Sequence, residues 1–69
     1  DGAEAVKWFA ASARLGFPPA MVNLSSCYAL GLGVKKDASE AMVWKIRGRA
    51  ARGDRNAATW LRQNGHSMR

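Results

Sequence analysis

The stretch "YALGLGVKKDASEAMVWK" occupies residues 28–45, and its second half repeats the opening of the chain, "DGAEAVKW". Setting Asp37 on Asp1 also sets Glu40 on Glu4, Ala41 on Ala5 and Trp44 on Trp8, all at one offset. A constant offset of roughly 20 to 50 residues is the signature of stacked supersecondary units, so the repeat governs how every single residue is read. Past the tryptophans the offset lengthens by one residue, pairing Gly16 with Gly53, Ala20 with Ala57 and Leu24 with Leu61. The extra residue falls between Trp44 and Gly53. Gly48, a poor helix former inside a helical run, marks the expected place of a local kink or bulge.

Working outward, the pattern predicts an all-α chain of about four helices. The first, 3–15, carries Ala5, Trp8, Phe9, Ser12 and Ala13 on one stripe at steps of three and four, starts at or near Asp1 and stops at Gly16. Pro19 begins the second, where a missing amide hydrogen costs nothing in the first turn; it runs through Ala20, Leu24, Cys27 and Tyr28 to Leu30, and Gly31 ends it. "GLGVKK" is a loop with two glycines free to take positive φ. Asp37, with Glu40 three residues later, forms a variant capping box for a third helix over 38–52. Gly53 stops that helix, Asp54 or Asn56 caps a shorter fourth with Ala57, Trp60 and Leu61, and Asn64 and Gly65 end the regular pattern before a frayed tail, 66–69.

A chain of 69 residues has room for one small unit, whose core buries only about 60% of the unfolded surface. Its single cysteine excludes an internal disulfide, and one histidine with one cysteine cannot close a zinc site, so no metal or cofactor is expected. The expected support is more protein: the chain opens within a repeating unit and without an initiator methionine, and it reads as a piece of a longer array. No apolar run approaches the roughly 18 residues of a membrane span. Cys27 is compatible with a reducing or an oxidising compartment, so no localisation is assigned.

In order along the chain, Ala20, Leu24, Tyr28, Gly31, Gly33, Val34, Asp37, Ala41, Trp44, Ala50, Ala51 and Gly53 resemble the Sel1-like repeats, relatives of the tetratricopeptide repeats. The resemblance implies a full unit over 17–53, the back half of a preceding unit over 1–16 with Ala5, Trp8, Ala13 and Gly16, and an atypical partial unit over 54–65. It departs from the family pattern where a glycine would follow the leucine: Ser25 stands there in the full unit and Arg62 in the last. Ser25 is still small; Arg62, with no tyrosine following it, suits either a terminal cap whose outer face meets water or a sequence cut within a longer array. The fold implied is an α-α superhelix of helix-turn-helix units.

Close helix packing accounts for the pattern. Small Ala20, Ala41 and Ala51 let backbones approach, while Trp8, Leu24, Tyr28 and Trp44 are expected to fill the space between them as core. A nucleotide loop at "GLGV" is disfavoured, since no strand precedes it and the lysines lie outside P-loop spacing. Catalysis is not expected either. His66 lies in the tail, Cys27 sits on the buried stripe, Ser25, Ser26 and Tyr28 have no evident base, and Asp1, Glu4, Asp37, Glu40 and Asp54 are mostly near helix starts, where the helix dipole stabilises acids.

The formal net charge of +6 supplies the alternative to a scaffold. Lys45, Arg49 and Arg52 share a helical face, flanked by Arg47 and Arg55, with Arg62 and Arg69 further on; such a face suits RNA, anionic lipid or an acidic protein. The plainer reading is a solvated face with cations near a helix C-terminus, preferred because the tryptophans read as buried and single-strand binders interleave exposed aromatics with arginine. Nucleic acid is therefore not the expected partner. The resemblance implies a protein-interaction scaffold or adaptor within a larger protein, its partners another protein or peptide and adjacent repeats of the same chain. In such arrays the first helix of each unit lines the concave side, which nominates Val22 and Ser26 on the second helix and Thr59 and Gln63 on the fourth as groove surface.

Overall fold

A computed structural model describes residues 2–65. Asp1 and the tail 66–69, with His66 and Arg69, lie outside the described residues. Four helices make up the fold and no strand occurs among the described residues: α1 (Gly2–Arg14), α2 (Pro18–Leu30), α3 (Ala38–Ala51) and α4 (Arg55–Gln63). Each helix packs only on its neighbours in the chain, α1 on α2, α2 on α3 and α3 on α4. That is the quasi-one-dimensional order of a helical repeat array, drawn out to 35 × 21 × 15 Å.

Local chemistry sets every boundary. Pro18 and Pro19 both sit in the first turn of α2, where neither amide is missed. Gly31 ends α2 in the left-handed conformation (φ 70°), and its N–H and that of Leu32 (2.9 Å) both donate to the Cys27 carbonyl. The loop returns when Asp37 N–H donates to the Tyr28 carbonyl at 2.9 Å. Asp37 then caps α3 by accepting from Glu40 N–H at 3.1 Å, and Asp54 caps α4 by accepting from the N–H groups of Asn56 and Ala57 at 3.0 and 3.2 Å. Gly33, at φ 75°, lies against the start of α1; a Cβ there would overlap the Gly2 carbonyl. No other residue type fits that approach.

The core runs along the stack. Val6, Ala13, Ala20, Met21, Leu24 and Cys27 form one buried cluster, with Phe9, Ala10, Tyr28, Val34, Trp44 and Ala51 packed half-buried around it. Ala50, Ala57 and Leu61 form a second, flanked by Ile46, Ala58 and Trp60. Leu24 (1% exposed) and Leu61 (0%), which pair across the repeat, are the most deeply buried large side chains.

Two expectations are corrected. Trp8 is not core: it is 71% exposed. The residues of α1 that pack on α2 are Val6, Phe9, Ala10 and Ala13; on α3 it is Ile46 and Ala50, the latter the counterpart of Ala13, that pack against α4. Ala5, Trp8 and Ser12 belong to a second stripe, whose counterparts Ala41, Trp44 and Gly48 turn toward α2. No described helix lies on that stripe of α1, so its tryptophan faces out. The single stripe read from the sequence merged two faces.

The second correction concerns Gly48, where a bulge was expected and none interrupts the helix. Helix α3 runs unbroken through it, and the extra residue of the repeat makes α3 14 residues long against 13 for α1. A helical glycine costs propensity without breaking the hydrogen-bond ladder. A Cβ built at Gly48 would lie 3.6 Å from Met21 Cβ and Val22 Cγ2, ordinary van der Waals contact.

Gly48→Ala is therefore expected to stabilise the chain by about 0.5–1 kcal/mol, read as a raised melting temperature in circular dichroism. A fall would mean that α2 tolerates no methyl there. Leu24→Ala is expected to cost about 2–5 kcal/mol and to abolish the cooperative melt of so small a chain. Trp8→Ala should stay within about 0.5 kcal/mol of the parent. Equal losses at Leu24 and Trp8 would contradict the burial pattern.

Candidate functional site

Helices α2 and α3 approach closely because the residues between them are small. Ser25 is buried in that seam, and its hydroxyl donates to the Ala41 carbonyl at 2.7 Å, a polar tie between the helices. Ser25 is thereby satisfied, and no base stands behind it. Along the edge of the seam lies a groove of about 430 Å³, lined by Val22, Ser25, Ser26, Ala29, Ala41, Met42 and Lys45. Val22 (42% exposed) and Met42 (52%) present apolar surface to it. That volume falls within the range of ligand pockets, and the lining is mainly apolar with a few polar groups, the usual composition of a binding groove.

Two residues nominated from sequence, Val22 and Ser26, meet in this groove. Thr59 and Gln63 do not join them: they lie on α4, which packs on α3 and makes no contact with α2. Lys45, Arg49 and Arg52, the cationic face, are all exposed. Lys45 lines the groove, while Arg49 and Arg52 are exposed further along α3. Arg47 leaves that face: its guanidinium stacks 4.7 Å from the centroid of the Trp44 ring, and its Nε is buried without an acceptor. Arg47 thus shields one flank of Trp44.

Met42 and Ala29 were missed in the sequence. Met42 stands one residue beyond Ala41, the alanine that repeats Ala5, and three before Lys45, which puts it on the lysine's face. What the spacing does not carry is which side of α3 remains uncovered once α2 and α4 have docked. A second, shallower concavity of about 310 Å³ lies at the α1–α2 turn, against Ser12, Leu15, Gly16 and Phe17. Cys27 is a buried free thiol, and among the described residues no group of three or more His, Cys, Asp or Glu side chains is placed to hold a metal ion. No helix among them is long and apolar enough to cross a membrane.

A stack of short helices touching only their chain neighbours, with glycine turns at the repeat boundaries, defines the class of helical-repeat proteins. The family model described as Sel1 repeat matches residues 1–17 and 18–44, so the chain belongs to the Sel1 repeat family. No curated protein and no solved structure gives a significant match. Sel1 repeats are helical solenoid repeats, generally non-catalytic protein-protein interaction modules.

The seam and the groove edge should respond differently to bulk. Ser25→Leu forces a larger side chain between α2 and α3 and is expected to cost about 1–3 kcal/mol, which corresponds to roughly 4–8 °C of melting temperature per kcal/mol in a domain of this size. Ser26→Leu, one residue on and exposed, should leave the melt nearly unchanged. Matching shifts in the two variants would place both serines on the same surface.

Proposed function

We propose that this chain is a non-catalytic adaptor module that binds a segment of another protein in the α2–α3 groove. The observation that carries the reading is the groove itself: an apolar, solvent-open channel that the fold leaves beside its most closely packed helix pair, with Val22, Ser26 and Met42 at its surface. Family membership supports it, since Sel1 repeats generally serve protein-protein interaction. In this reading one whole unit, 17–53, is flanked by the back half of another, 1–16, and a partial one, 54–65. The exposed Trp8 stripe is the docking side for an adjacent repeat of a longer array, as Trp44 is met here by the cluster that α1 and α2 build. Thr59 and Gln63 extend the interaction surface on α4.

The basic face of Lys45, Arg49 and Arg52 is, in this reading, a solvated surface. Binding to single-stranded RNA or heparin should then be weak and should be lost near 0.15 M salt, where the screening length is about 8 Å. The charge-reversed double variant Arg49→Glu with Arg52→Glu should keep its helix content, apart from a modest penalty for acids near a helix C-terminus. The measurement is a salt titration of RNA binding by parent and double variant. Affinity that persists at 0.15 M salt and disappears on reversal would overturn the adaptor reading in favour of a polyanion binder.

A further inference from the structure

Among the seven side chains that line the groove, Lys45 alone is charged. Its ammonium makes no hydrogen bond or ion pair among the described residues. The acids nearest in sequence are otherwise placed: Asp37 and Asp54 cap α3 and α4, and Glu40 sits in the first turn of α3. The groove therefore joins an apolar floor to an uncompensated positive charge, within a chain whose formal net charge is +6. No carboxylate and no aromatic ring lines it.

We propose that the groove selects a protein segment carrying an aliphatic side chain beside a carboxylate. The aliphatic group seats against Val22, Ala29 and Met42, and the carboxylate accepts from the Lys45 ammonium. This rests on the groove being the interaction site. Methionine is unbranched and polarizable, so Met42 can follow the contour of different aliphatic groups while Lys45 fixes the sign of the charge beside them. The charge-assisted contact sets partner choice and orientation more than it adds affinity, as rim charges do. The lining favours a protein over a nucleic acid, because a base-binding groove offers aromatic faces for stacking and this one has none.

The test is selection of a random-peptide library displayed on phage, against the full chain at about 0.15 M salt. The expected consensus places Asp or Glu next to Leu, Ile or Met. A synthetic peptide of that consensus should lose about five- to tenfold in affinity to Lys45→Glu, and its counterpart with lysine replacing the acid should recover binding to that variant. Ser26→Trp, which fills the groove from an exposed position, should abolish both; Val22→Gln serves the same purpose if circular dichroism shows that the tryptophan variant has lost its helices. Peptides that are lost on Ser26→Trp but show no acidic preference and no response to Lys45→Glu overturn the charge selection and leave the groove reading standing. Binding indifferent to both groove variants overturns the groove itself. Displacement of the peptide at this salt by polyuridylate, or by vesicles containing phosphatidylserine, would assign the lysine to a polyanion and overturn the proposal.

Discussion

Two helix backbones can approach closely only where the side chains between them are almost absent, and the α2–α3 seam meets that condition with Ser25, Ala41 and Gly48. The rest of the molecule follows from that approach. It brings the Ser25 hydroxyl within reach of a carbonyl on the next helix, a tie that bulkier neighbours would hold apart. It also presses Met21, Leu24 and Cys27 into a continuous cluster with α1 and lets Trp44 cover the cluster's edge. Val22 and Met42, on the same two helices, line the groove together with the seam residues Ser25 and Ala41. Core and candidate binding surface are thus two stretches of one interface.

The loop between those helices is equally constrained. Gly31 turns the chain in a left-handed conformation, and Gly33 lets the loop backbone lie directly on the start of α1. In a fold where each helix meets only its chain neighbours, this contact ties the α2–α3 turn to the preceding helix. The family's paired glycines thereby have distinct tasks, one conformational and one steric. Neither task involves a phosphate.

Much of this was legible in the sequence because the repeat fixes equivalences that single residues cannot. Helix number, the turn positions at Gly16, Gly31 and Gly53, the caps at Asp37 and Asp54, and the burial of Leu24, Leu61 and Cys27 follow from spacing and local hydrogen-bond chemistry. Trp8 was misread because identity with Trp44 carries over side-chain type without the neighbour that covers it. At Gly48 low helix propensity suggested a bulge, yet the helix continues through it. In the groove, Val22 and Ser26 were visible as residues outside the core stripe. Met42 was not, since its exposure depends on the docking of two other helices.

Helix α3 carries two contact faces. On that helix the stripe of Ala41, Trp44 and Gly48, which meets α2, and the pair Ile46 and Ala50, which meets α4, fall on nearly opposite sides, because each residue advances the helix by about 100°. On α1 the residues that meet α2, Val6, Phe9, Ala10 and Ala13, lie only about a third of a turn from Ala5, Trp8 and Ser12. A helix laid on the Trp8 flank would therefore leave α1 at a corner, whereas α3 passes the stack straight through. The angle between the two contact faces of each helix thus sets the path a solenoid traces, and so the curvature it offers to whatever it wraps.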